Sequence, residues 1–120
     1  MKENADMKII VMDEARKKNM QICEILQRKK HTVVSCMNSA SFLDALEESM
    51  PDRVVLNVET WQRGRAMFKY FDIPKKLGPV PIVFYNVPEN FVNINLREKN
   101  EADRVIQNPA EPEAIAAAIE

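Results

Sequence analysis

Only two glycines, Gly64 and Gly78, occur in the 120 residues, so the chain has no glycine-rich loop to cradle a phosphate. Cysteine is as scarce. Cys23 and Cys36 lack C-x-x-C spacing and fall inside regular elements. They read as small, buried, reduced hydrophobes of a cytoplasmic protein, which excludes a disulfide framework. The single histidine, His31, stands at a helix-to-strand junction with no second ligand candidate beside it, and is expected at a turn or on the surface rather than on a metal. Neither sign of charge is in excess: 17 basic and 18 acidic residues leave a formal charge of −1. No whole-domain field would then draw nucleic acid or an anionic membrane. The basic clusters Arg16-Lys17-Lys18 and Arg28-Lys29-Lys30 are offset by nearby acids and read as solvated helix faces. No stretch approaches the roughly 20 apolar residues that span a bilayer. The first six residues are polar, without the hydrophobic core of a signal peptide.

Hydrophobic residues make up 46% and charged residues 29%, the balance of one ordinary globular domain over residues 1–120. Short apolar runs alternate with amphipathic segments five times. The strand-like runs are 7–12 (MKIIVM), 32–37 (TVVSCM), 53–58 (RVVLNV), 80–87 (VPIVFYNV) and 104–107 (RVIQ). The first, third and fourth are nearly continuous in branched and aromatic residues, as suits strands buried on both faces of a parallel sheet. Helices are expected at 15–29, with Met20, Cys23 and Leu26 inward and Asn19 and Ile22 flanking, and at 41–49, with Ser39 or Ser41 as N-cap. Three more are expected at 65–71, stopping before Pro74, at 89–99, and at 111–120 with Pro112 in its first turn. Parallel strands need helical crossovers, so the pattern gives an α/β fold, a (βα)5 doubly wound five-stranded parallel sheet. The last helix ends at the final residue, from which the chain is expected to be the N-terminal part of a longer protein.

Function in such sheets collects at the carboxyl ends of the strands, near the switch point. Those positions hold Met12, Asp13 and Glu14 after the first strand, Asn57 in the third, Asn86 at the end of the fourth, and Asn108-Pro109 after the fifth. Four phrases in order, Ile9 to Glu14, Pro51 to Val58, Pro81 to Val87 and Ala102 to Glu113, resemble the receiver domains of bacterial two-component response regulators. The resemblance covers roughly residues 7 to 120 and implies a flavodoxin-like strand order 2-1-3-4-5. It also places a phosphoacceptor at Asn57, acidic metal ligands at Met12, Asp13 and Asn57, a Ser or Thr at Asn86, a lysine at Asn108 and a switching aromatic at Val105.

The departures decide the functional expectation. An acyl phosphate forms by carboxylate attack, and Asn57 offers an amide. Magnesium needs charged oxygen ligands, whereas Met12 has a thioether and only Asp13 keeps a carboxylate, expected to cap the adjoining loop or helix. Asn108 has no charge with which to stabilise a phosphoryl group. The expectation is therefore a non-phosphorylatable, receiver-like domain: a protein–protein interaction or dimerisation module in bacterial signal transduction. It is no enzyme, has no catalytic residue, cofactor or metal, and binds a protein partner, an output domain or a second copy, but no nucleic acid and no membrane. Its degenerate phosphorylation pocket comprises Met12, Asp13, Asn57, Asn86 and Asn108, the three asparagines forming an amide trio, with Trp61 and Val87 as cover. The helix-four to helix-five face that often mediates pairing in this family would include Arg97, Lys99, Arg104 and Glu113. The alternative is a flavodoxin-like ligand-sensing domain that reuses the strand-end pocket.

Overall fold

The computed structural model describes residues 6–88, 96 and 100–119. Within them the apolar runs form five strands: β1 (Lys8–Met12), β2 (Thr32–Cys36), β3 (Arg53–Asn57), β4 (Ile82–Tyr85) and β5 (Arg104–Val105). All pairings are parallel, in the order β2-β1-β3-β4-β5. The chain runs outward from β1 to β2 and returns to β3 on the other side of β1, so the switch point falls between β1 and β3. This is the flavodoxin-like arrangement expected from the sequence.

Alternation along the strands divides the core in two. Ile10, Met12, Val54 and Leu56 face a layer built by α2 (Ser39–Glu48), α3 (Val58–Arg63), α4 (Arg65–Tyr70) and α5 (Ile73–Leu77), which supplies Phe42, Trp61, Phe68 and Leu77. Ile9, Val11, Val55, Val83 and Tyr85 face the other way, onto Ile22 and Leu26 of α1 (Arg16–Arg28) and Ile115 of α6 (Pro112–Ala117). Each such side chain, fully buried, contributes roughly 1.5–3 kcal/mol. The helix expected at 89–99 lies outside the described residues.

Local departures have clear causes. Helix α1 buries Asn19, Ile22, Cys23 and Leu26, while Met20 is 54% exposed. At 100° per residue, positions i, i+3, i+4 and i+7 share a stripe, whereas Leu26 lies about 120° round from Met20, so the buried face is centred near Asn19 and Met20 falls outside it. Helix α2 starts early, capped by Asn38, whose side chain accepts from the Ser41 amide in a reciprocal capping box. Neither Ser39 nor Ser41 is the cap. The one helix expected at 65–71 is instead the middle of three short ones running from Val58 to Leu77.

Gly64 joins α3 to α4 where only hydrogen fits. A Cβ there would lie 2.0 Å from Ser39 Oγ, and that hydroxyl donates to the Gly64 carbonyl at 3.2 Å. Asp72, left-handed at φ 54°, turns the chain after α4, and Pro74 then lies in the first turn of α5, beginning a helix as well as following one. His31 is buried at its turn, not on the surface, with Nδ1 accepting the Met7 amide at 3.3 Å. Both cysteines are buried and free.

Candidate functional site

The carboxyl ends of β1, β3 and β4 meet on the α1–α6 side of the sheet. Met12 pairs with Leu56, which sets Asp13 beside Asn57, and Asn57 pairs with Tyr85. The three form a row across the sheet. Two strand spacings separate its ends by about 10 Å, a gap that one tyrosine and one aspartate side chain span together. The Tyr85 hydroxyl reaches past Asn57 and donates to Asp13 Oδ2. The other carboxylate oxygen, Oδ1, accepts the Ala15 amide at 2.7 Å, immediately before α1. Asp13 is 0% and Tyr85 1% exposed, so the pair is sealed from solvent. Burial pushes the Tyr85 phenol far above its ordinary value, and the charge and hydrogen bond of Asp13 push the same way, against a smaller opposing contact with Asn57. The phenol therefore stays a protonated donor throughout the physiological range.

Asn57 is a helix cap. Its carboxamide oxygen accepts the Glu59 and Thr60 amides at 2.9 and 3.3 Å, and Asn86 Nδ2 at 3.1 Å. It thus satisfies the first amides of α3, and the segment that the family resemblance makes the acceptor loop is helical from Val58 onward. Asn86 shares its amide hydrogens between Asn57 and Glu59 Oε1, from a left-handed backbone (φ 57°) that asparagine tolerates. Thr60 Oγ1 accepts the Glu14 amide at 3.1 Å, and Glu14 pairs with Arg63 outside it, so the β1–α1 connection is stitched to α3.

The expected pocket residues divide. Asp13, Asn57 and Asn86 converge. Met12 is fully buried on the opposite sheet face, with Trp61, 1% exposed, in the same core cluster. Val87 packs half-buried against that cluster. Asn108 is exposed and donates to the Val87 carbonyl at 3.0 Å, so among the described contacts the amide pair Asn57–Asn86 stands without it. Arg104 and Glu113 are exposed, the guanidinium resting on the Glu101 and Asp103 carbonyls, while Arg97 and Lys99 lie outside the described residues. Tyr85 was missed by the sequence reading. Its signal was a lone hydroxyl-bearing aromatic at the end of an otherwise apolar strand.

These groups do not fit a divalent cation. Magnesium takes charged oxygens and keeps several waters. Here one side chain is a thioether turned away, one is a neutral amide used as a cap, and the remaining carboxylate has a donor on each oxygen. Among the described residues no group of three or more His, Cys, Asp or Glu is placed to hold a metal ion. Beside the network, towards α2, is a cavity of about 430 Å³ whose lining includes Glu14, Met37, Thr60, Arg63 and Met67.

No family model matches the sequence, and no curated protein does. Solved structures do. The chemotaxis response regulator CheY4 of Vibrio cholerae superposes with a TM-score of 0.75 at 14% identity, over 96% of this chain and 97% of that one. A response regulator from Burkholderia pseudomallei, solved with a phosphorylated aspartic acid, a calcium ion and citrate, gives 0.74 at 14% identity over 96% of this chain and 67% of that one. NtrX from Brucella abortus, in complex with ADP, gives 0.72 at 19% identity over 95% of this chain, which spans 27% of that longer protein. The neighbours are response regulators, and the chain has the fold of their receiver domains.

Proposed function

We propose that this chain is a non-phosphorylatable receiver-like domain that serves as a protein–protein interaction or dimerisation module in bacterial signal transduction. The observation that carries the reading is the carboxamide oxygen of Asn57, buried at the acceptor position and engaged by two backbone amides and Asn86. An amide cannot form an acyl phosphate, and this one is also held away from attack by the helix it caps. Without a phosphoryl group to favour one of two states, the domain works as a fixed surface. On this reading it is no enzyme, needs no cofactor, and acts in the cytoplasm on a protein partner, a second copy or an output domain. The length of NtrX beyond the matched part supports an output domain. The interaction face would use Arg104, Glu113 and the exposed Val105 of the edge strand β5, together with Arg97 and Lys99.

Intact-mass measurement after acetyl phosphate and Mg²⁺ tests the reading. No mass is expected to be added, and one phosphoryl group on the natural chain would overturn it. The cavity beside Thr60 and Met67 favours a second reading, a domain that senses a small apolar ligand there, because its volume lies in the usual range for such sites. Thermal stabilisation by a metabolite, lost when Ala40 at the cavity wall is enlarged to tryptophan, would favour that reading over the first.

A further inference from the structure

We propose that the Tyr85 hydroxyl is a built-in occupant of the strand-end site, taking the place at Asp13 that a divalent cation would need and pinning the β1–α1 connection to the end of β4. The inference deepens the reading above and rests on its assignment of Asp13 as the one acid left among the pocket positions.

A buried carboxylate persists only where hydrogen-bond donors or a cation meet it. Asp13 has no exposed surface, and its two oxygens are met by the Tyr85 hydroxyl and the Ala15 amide. The donor on Oδ2 comes from β4, two strands away across β3, so the same bond ties the turn after β1 to the far side of the switch point. Asn19 secures that turn independently, donating to the Asp13 and Cys36 carbonyls at 2.9 and 3.1 Å. A hydrated cation would have to displace a phenol packed among Val83, Ile115 and Ala116 in a sealed core.

Cation binding is therefore blocked twice over, by separate residues. Asn57 withholds a charged ligand, and Tyr85 occupies the one that remains. Restoring a carboxylate at position 57 leaves the second block in place. Phenylalanine at 85 keeps the ring and deletes only the oxygen that fills the site.

The test measures Mn²⁺ affinity, by titration calorimetry and by paramagnetic broadening of amides near residues 13 and 57, in four full-length proteins. These are the natural chain, Asn57→Asp, Tyr85→Phe and the double variant. The natural chain and Asn57→Asp are expected to bind equally weakly at this site, and the double variant at least about tenfold more tightly than Asn57→Asp. Asn57→Asp binding as tightly as the double variant would overturn the proposal. If the double variant does not fold, the natural chain still decides. Its Tyr85 hydroxyl proton should appear in the NMR spectrum as a slowly exchanging signal, absent in Tyr85→Phe and unmoved by millimolar Mg²⁺. Loss of that signal on adding Mg²⁺ would equally sink the idea. The functional reading fails separately, through phosphorylation of the natural chain. A cation-competent Asn57→Asp would refute the tyrosine's role while leaving that reading intact.

Discussion

Asn19 is an amide on the buried stripe of α1, and its hydrogen bonds, among them a long one to Met37 Sδ at 3.7 Å, account for it. Nδ2 donates to the Asp13 and Cys36 carbonyls, while Oδ1 accepts from Ser35 Oγ at 2.6 Å and Cys23 Sγ at 3.2 Å. Leucine at this position would keep the branched shape but leave the Asp13 carbonyl without its donor, while the Cys36 carbonyl would keep only the Asp13 backbone amide. Asn19→Leu is therefore expected to cost about 1–3 kcal/mol, read as a lowered urea midpoint. Gly64 makes the opposite demand, for absence of a side chain. Gly64→Ala pushes a methyl group into Ser39 and should cost about 1–3 kcal/mol. Ser39→Ala in the same chain should recover part of that cost, because the closest atom is the hydroxyl, and a double-mutant cycle measures the coupling. Asn57 and Tyr85 complete this scale. That the amide at 57 offers no carboxylate follows from residue type alone, and only the resemblance to receiver domains gives that position its significance. The amide's service as a helix cap was not legible, because capping requires knowing where α3 begins.

At the scale of elements, the α-helices show how far periodicity carries. The burial stripe of α1 follows 3.6-residue spacing once Asn19 is admitted to it, which a hydrophobicity pattern resists. Helix α2 holds its position by its cap. Asn38→Ala removes the acceptor for the Ser41 amide and is expected to destabilise the fold by about 1 kcal/mol. The consequence should be local, seen as faster amide exchange at residues 39–42. The stretch from Val58 to Leu77 read as loop, helix, stop and became three helical pieces. What set them was the cap at Asn57, the close pass at Gly64 and the left-handed Asp72. The aromatic pair at the end of α4, with Tyr70 82% and Phe71 39% exposed, stacks edge to face outside the core.

Across the whole molecule, buried weak acids tie stability to alkaline pH. Burial is the main cause of the raised Cys23, Cys36 and Tyr85 values, and Cys36 is pushed up to about 11. Each group keeps its proton in the folded chain at pH values where the unfolded chain has lost it, since the unperturbed thiol and phenol titrate near 8.5 and about 10. Their contribution is therefore intact below about pH 8.5 and declines as pH rises from there, by up to about 1.4 kcal/mol per pH unit for each proton released. Urea midpoints between pH 7 and 11 should fall first through the thiol range and more steeply above pH 10. Tyr85→Phe should flatten the upper part of that decline. The same burial predicts that neither thiol reacts with an alkylating reagent at neutral pH until the chain is unfolded, a difference that mass spectrometry reads directly.

The residues by themselves determined the parallel (βα)5 architecture, because continuous apolar strands can be buried on both faces only between two layers of helices. They also determined the absence of a nucleophile at position 57, which is a matter of atoms. Only the tertiary structure decided what Asp13 and Asn57 are bonded to. The hydrogen bond from Tyr85 to Asp13 joins residues 72 positions apart, and it exists because strand register places three side chains in one row across the sheet. The apolar pattern fixes which face each side chain takes, but which residues stand side by side is settled only when the strands pair.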